Sequence, residues 1–238
     1  MKTHHTCPTC GGTKLVKNGF RYQRQCLKCK ACGRQFIIGK NDVFVSDVMK
    51  EQILRSLLER NSMRSICRIF QVSLGWLYRF MLEHLEQMSE DLKLHVTAEM
   101  LSEDADFEVD ELCTYVRNKK AKVWVWIVYH RQTKQIVAFH MGCRGIKTCK
   151  KRWRKLQEIG IKGKLHTDLW KAYATVFPKD QHVPHEKRGA TNHIERFNGT
   201  LRSRLSRLVR KTYSFAKSYR NLFLSLRFFI SHYNLSLL

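Results

Sequence analysis

Two Cys-x-x-Cys pairs near the start of the chain limit what its first forty residues can be. Cys7-Pro8-Thr9-Cys10 is followed by Gly11, and Cys29-Lys30-Ala31-Cys32 by Gly33, with eighteen residues between the pairs. Each pair forms a tight turn, and the glycine after it lets backbone amides point at the sulfurs. Cys7, Cys10, Cys29 and Cys32 therefore predict a four-thiolate zinc ribbon over residues 1–40. A segment this small buries too little apolar surface to fold unaided, so the metal supplies its folding energy. Two alternatives stay open: reduced cysteines that bind nothing, and a second pair shifted to include Cys26. Gly33, matching Gly11, favours Cys29 and Cys32. His4 and His5 are weaker substitutes as ligands.

Residues 44–92 read as helices. Ser46 is a candidate N-cap with Asp47 in the first turn, and Ile53, Leu54, Leu57 and Leu58 form an apolar stripe. A short helix over Met63–Phe70 carries Ile66, Ile69 and Phe70. Gln71-Val72-Ser73 is a turn, and Leu74–Leu85 a third helix with Trp76, Leu77, Phe80 and Met81 inward. This is the layout of a helix-turn-helix, in which Ser73, Gly75, Tyr78 and Arg79 face the major groove or its phosphates. A plain three-helix bundle has the same pattern.

From about Asp104 the pattern changes, and residues 104–238 read as an α/β domain. Phe107-Glu108-Val109 forms a short strand leading into Asp110. Val123–Tyr129 is β-rich, with Ile136–His140 as its hairpin partner. Lys150–Ile159 is a helix, Lys164–Thr167 a strand ending at Asp168, and Leu169–Val176 a helix. A long helix begins near Asn192, with Ile194, Phe197, Leu201, Leu205 and Leu208 on one stripe.

Asp110 and Asp168 thus stand at strand ends, where neighbouring strands can set them side by side, and Glu195 lies on the long helix. Three oxygen ligands of this kind suit Mg²⁺ rather than zinc. Two such ions about 4 Å apart activate an attacking oxygen and stabilise a leaving one in phosphoryl transfer. Arg202, two helical turns past Glu195, has a guanidinium suited to clamping a phosphate nearby. Each residue also has a plainer role. Asp110 and Glu111 fit surface charges, Asp168 a helix N-cap, and Glu195 a capping pair with Asn192.

The charge points to the partner. Forty-four Lys and Arg against twenty Asp and Glu give +24 and a pI near 10.0. A polyanion is the natural counterion for such an excess, which indicates nucleic acid. Ten Lys and Arg face one acid, Glu195, between Lys187 and Arg220. Arg204, Arg207, Arg210 and Lys211 sit off the apolar stripe and suit phosphate contacts. His182 and His185 fit loop histidines beside DNA better than metal ligands. The longest apolar run, Val123–Tyr129, is too short to span a bilayer, and the polar first six residues lack a signal-peptide core. Nine cysteines then suit metal ligation or buried thiols in a reducing cytoplasm.

Several strings carry a resemblance. Asp110-Glu111-Leu112, Trp124-Val125-Trp126 and Thr167-Asp168-Leu169-Trp170-Lys171-Ala172-Tyr173 are three of them. Ile194-Glu195-Arg196-Phe197-Asn198 and Arg207-Leu208-Val209-Arg210-Lys211-Thr212 complete the set. Together they resemble the transposases of the bacterial insertion sequence one family. The likeness covers nearly the whole chain, because those proteins also begin with a zinc-finger segment and a helix-turn-helix. It implies an RNase H-like catalytic domain whose triad is Asp110, Asp168 and Glu195, with Arg202 as the basic residue one heptad on. It also implies Mg²⁺ or Mn²⁺ in that site, and a cytoplasmic, nucleoid-associated protein. The implied partners are double-stranded DNA, as element terminal inverted repeats and target, and further copies of the chain on that DNA. No membrane or small-molecule substrate is expected. The founding members join two reading frames, whereas this chain reads through. Competing functions are a DNA-binding regulator derived from a transposase and an RNase H-like nuclease.

Overall fold

The computed structural model describes residues 5–38, 44–87, 96–186, 191–209 and 215–238. The chain divides into two compact units, Met1–Glu83 and His84–Leu238.

In the first unit, β1 (Leu15–Arg21), β2 (Arg24–Cys29) and β3 (Gln35–Ile37) form an antiparallel sheet in that order. Tyr22 and Gln23, both with positive φ, close the β1–β2 hairpin. Two successive left-handed residues match the twist of paired strands. Cys7, Leu27, Cys29 and Phe36 are its small core. Three helices follow: α1 (Asp47–Leu57), α2 (Met63–Phe70) and α3 (Leu74–Gln87). Each starts at a serine whose hydroxyl accepts a backbone N–H two or three residues into the helix. Ser46 accepts from Met49, Ser62 from Ser65 and Ser73 from Trp76. Left-handed Gln71 stops α2 and starts the three-residue turn. Ile53, Ile66, Val72 and Leu77 meet in a shared core, with Trp76 stacked on Phe80 beside it. Ile69, expected on the apolar stripe of α2, is instead 61% exposed. The eight-residue helix turns only Ile66 fully inward.

The second unit is built on a five-stranded mixed sheet in the order β6-β5-β4-β7-β8. The strands are β4 (Asp106–Tyr115), β5 (Lys122–His130), β6 (Ile136–Gly142), β7 (Lys164–Thr167) and β8 (His182–Pro184). β4, β5 and β6 are antiparallel neighbours; β7 pairs parallel to β4, and β8 parallel to β7. The parallel pairs need crossovers, supplied by α4 (Ile146–Ile159) and α5 (Lys171–Val176). Both helices cover one face, where Cys149 and Leu156 of α4 and Ala172 and Tyr173 of α5 pack with Phe107, Val109, Trp126 and Leu165. Gly163 permits the turn into β7: a Cβ there would stand 2.0 Å from the Ala105 carbonyl oxygen, which Lys164 N–H also uses. α6 (Asn192–Arg204) and α7 (Tyr219–Leu235) complete the unit. Asn234 of α7 bridges the backbone of Ile136 on β6 through both its amide atoms, and Phe197 of α6 packs on Tyr233.

Several element boundaries differ from the sequence reading. β4 does not end at Asp110 but continues to Tyr115, because Asp110–Tyr115 pair in register with Ile127–Lys122. α4 starts at Ile146, four residues early, and buries Thr148 and Cys149 against the sheet. α5 starts at Lys171 rather than Leu169. α6 stops at Arg204, where Leu205 turns extended; Leu205 and Leu208 are buried by tertiary packing and not as a continued helical stripe. Among the described residues no helix is long and apolar enough to cross a membrane.

Candidate functional site

Alternation along β4 sorts its side chains. Phe107 and Val109 enter the core beneath α4 and α5, so Glu108 and Asp110 face the other way, toward α6. Glu108 is wholly buried. Its Oε2 accepts the Ile194 backbone N–H at 2.9 Å, and its Oε1 accepts from His193 Nδ1 at 2.8 Å and Arg131 Nε at 2.9 Å. α6 has no side-chain cap of its own at Thr191. A strand carboxylate therefore takes the place of the cap and satisfies the positive end of the helix.

This anchor sets α6 across Asp110. Asn198, one turn beyond Ile194, donates through Nδ2 to Asp110 Oδ2 at 2.8 Å. Asp168 follows the end of β7, and the parallel register pairs Glu108 with His166. Asp110 lies two residues beyond Glu108 on β4, and Asp168 is the first residue past the end of β7. Asp168 does not cap α5, whose N-cap is Trp170; its Oδ1 accepts the Trp170 N–H at 3.0 Å in the turn before the helix. Glu195 is exposed in the first turn of α6, accepting from the Thr191 hydroxyl at 3.3 Å rather than pairing with Asn192. Burial raises the Asp110 carboxyl above its ordinary range, and the charges of Asp168 and Glu195 add to that rise. The charges of the three predicted carboxylates meet at Asp110, but among the described residues only the four cysteines bring ligand atoms within 4.8 Å of one another. Such like charges are relieved by cations, and an all-oxygen donor set fits hard ions such as Mg²⁺.

Glu111 is not a surface charge. Its side chain is 2% exposed on the opposite face of β4, 3.9 Å from Arg144. Burial pushes it up to about 7 against the pull of Arg144, helped by Asp110 and Asp168. Arg144 itself lies between two indoles, 4.8 Å from Trp124 and 5.0 Å from Trp170.

The arginines separate. Arg202 donates through Nη2 to the Cys113 carbonyl at 3.2 Å, three residues along β4 from Asp110, and lines a 250 Å³ cavity with Arg207 and Tyr115. Arg204 stands 5.2 Å over the Phe229 ring. Arg207 lies beyond the end of α6, so it is not on a helix, and burial lowers its pKa. Arg210 and Lys211 lie outside the described residues. His182 is on β8, not in a loop, and hydrogen-bonds the Thr167 hydroxyl at 2.8 Å. His185 hydrogen-bonds His166 at 2.8 Å, and His166 in turn Asp106 at 2.7 Å.

In the first unit Cys7, Cys10, Cys29 and Cys32 converge, every sulfur within 4.8 Å of the others. Cys7–Cys32 and Cys10–Cys29 are 3.5 and 3.7 Å apart. A tetrahedral zinc–thiolate centre sets its sulfurs about 3.8 Å apart, so the donors fit that ion. Gly11 and Gly33, both with positive φ, close matching turns by donating to the carbonyls of Cys7 and Cys29. Burial raises the Cys7 thiol, but amides of Cys10 and Thr9 and neighbouring thiols bring it down to about 6. Cys26 is buried on β2, its thiol toward the Leu27 carbonyl and outside the cluster. Ser73, expected to reach DNA, spends its hydroxyl on the start of α3; Arg79 is exposed and Tyr78 half-buried on that helix.

The sequence reading passed over Glu108, Asn198, Arg144 and all of α7. Glu108 carried a usable signal, since Phe107-Glu108-Val109-Asp110 alternates apolar and acidic and puts both acids on one face.

Residues 105–229 match the family described as IS1 transposase. Insertion element iso-IS1n protein InsB of Shigella dysenteriae is 37% identical over 111 residues, 47% of this chain and 82% of that protein. Insertion element IS1 4 protein InsB of Escherichia coli K12 is 34% identical over 111 residues, 47% of this chain and 65% of its own length. The chain belongs to the IS1 transposase family. A chain in the simian T-cell lymphotropic virus intasome, solved with PP2A regulatory subunit B56 gamma, overlaps loosely. Its TM-score is 0.40 at 11% identity, covering 71% of this chain and 63% of that one.

Proposed function

We propose that this transposase binds the ends of its element and cuts and joins DNA at Asp110, Asp168 and Glu195. The observation that carries the reading is the hydrogen bond from Asn198 to Asp110, which joins the helix that bears Glu195 to β4, next to the strand that Asp168 follows. In this reading the second unit is an RNase H-like domain. The sheet order and the crossover helices on one face, with α6 on the other, support it. Two divalent ions, Mg²⁺ or Mn²⁺, would be held by those carboxylates and supply charge for attacking and leaving oxygens. Asp110 on β4 and Asp168 just past the neighbouring β7 would set the spacing of the site. Glu108 and Asn198 hold α6, and so Glu195, over that pair. No side-chain nucleophile is required: water opens the strand, and the freed 3′-hydroxyl then attacks target DNA.

The cysteine ribbon would be a zinc site, and α2-turn-α3 a helix-turn-helix that reads element ends through Arg79 and Tyr78. Arg202, Arg204, Arg207, Arg210 and Lys211 would contact phosphates. The excess of 44 basic over 20 acidic residues supports DNA as partner. Synapsis of two ends calls for at least two copies on DNA, and the nucleoid of the cytoplasm as the place of action.

The test is a strand-transfer assay with Mg²⁺ and a duplex ending in the terminal inverted repeat. Wild type is expected to cut and join. Asp110→Asn, Asp168→Asn and Glu195→Gln are expected to bind the end yet lose cleavage by more than about 100-fold, a few kcal/mol per ligand. Cleavage without joining would make the chain a nuclease, and binding without either a regulator.

A further inference from the structure

On the α4–α5 side of the sheet, Cys143–Lys147 and Trp170–Ala172 line an open concavity of about 510 Å³. That is the size of a small-molecule or single-nucleotide pocket. Trp170, Ala172 and Ile146 give it an apolar lining; Arg144, Lys147 and Lys171 make it cationic, and no acid lines it. Arg144 is held in place by the two indoles and by Glu111. Ile146 is 46% exposed, so its side chain is open to a ligand in the cavity. The cavity adjoins the candidate active site, because the Trp170 N–H is bonded to Asp168.

A paired base cannot enter a concavity, whereas an unstacked one finds an aromatic wall and cations for its phosphate. We propose that this cavity takes one nucleotide unstacked from the strand next to the scissile phosphate. Its base lies against Trp170 and Ile146, and its phosphate on Lys147 and Lys171. The inference rests on the DNA strand-transfer reading and deepens it by adding a nucleotide subsite. It accounts for an apolar, acid-free pocket whose Trp170 lies two residues from a proposed metal ligand.

The experiment compares two duplexes that differ only in a three-nucleotide 3′ overhang, one with bases and one abasic, titrated against the full chain. Phosphate number is the same in both, so charge cancels in the comparison. Wild type should bind the overhang with bases about 10-fold or more tightly. Ile146→Asp and Trp170→Leu should erase that preference. Lys147→Gln combined with Lys171→Gln should weaken both duplexes alike. Trp170 packs on Trp126 and Tyr173, so its variant risks misfolding. Ile146→Asp, a surface change checked by its melting curve, decides the matter by itself. Equal binding of the two overhangs by wild type, or a preference that survives Ile146→Asp, overturns the subsite and leaves the transposase reading standing. Failure of wild type to bind either duplex overturns both.

Discussion

Removing the Glu108 carboxylate tests whether a strand acid holds α6 over the active site. Its side chain is 1% exposed, and three donors converge on it: the Ile194 N–H, His193 and Arg131. Glu108→Ala leaves the buried Ile194 amide unpaired, which costs about 1–3 kcal/mol. Loss of an anion at a helix N-terminus adds about 0.3–1 kcal/mol. Arg131 and His193 are 24% and 48% exposed, so water takes over much of their share and the charge pairs add little more. The expected loss is about 1–4 kcal/mol, or a fall in Tm of about 2–16 °C for the unit that melts. Glu108→Gln keeps an acceptor for the amide and should lose about half as much. The assay is denaturant and thermal unfolding of the full chain, followed by cleavage of an end duplex across a Mg²⁺ titration. If α6 is anchored as described, Glu108→Gln should need more Mg²⁺ for half-maximal cleavage while binding DNA as wild type does. Glu108→Ala with stability within about 0.5 kcal/mol of wild type, the range of inert surface changes, would refute the anchoring argument.

The full chain is expected to carry one zinc per molecule by metal analysis, a stoichiometry read from the four clustered sulfurs. Cys10→Ser and Cys29→Ser should lose it, and Cys26→Ser should keep it. Arg79→Ala should lower the preference for element ends over random duplex by about 1–3 kcal/mol, measured by competition titration; equal weakening of both DNAs would remove α3 from sequence reading. Gly163→Ala should destabilise the second unit in urea unfolding by more than about 1–3 kcal/mol, because the new methyl would stand 2.0 Å from the Ala105 oxygen and backbone must move. An unchanged unfolding midpoint would show that this approach of β7 to Ala105 is not tight.

What the sequence by itself determined is local. The two Cys-x-x-Cys turns, the helices α1 to α3 and the strands β5 and β7 depend on neighbours within a few residues, so spacing was enough to read them, with a cap recognised only at Ser46. The glycine after each cysteine pair separated Cys29 from Cys26 for the same reason: its positive φ belongs to the turn itself. What only the tertiary structure decided is which of these pieces face one another. Glu108 meets Ile194 across 86 residues and Asn198 meets Asp110 across 88. Alternation along β4 divides its residues into two sets, but it does not say which set α6 covers. Covering Glu108 and Asp110 with α6 turned one acid into a helix cap and gave the other Asn198 as its partner. The same packing buried the adjacent Glu111 beneath α4 and α5, where a string reading leaves it a surface charge. The helical stripe likewise ran on to Leu205 and Leu208, because both leucines are buried. Their burial comes from packing after Leu205 has turned extended, and periodicity registers burial without registering what the backbone does to achieve it.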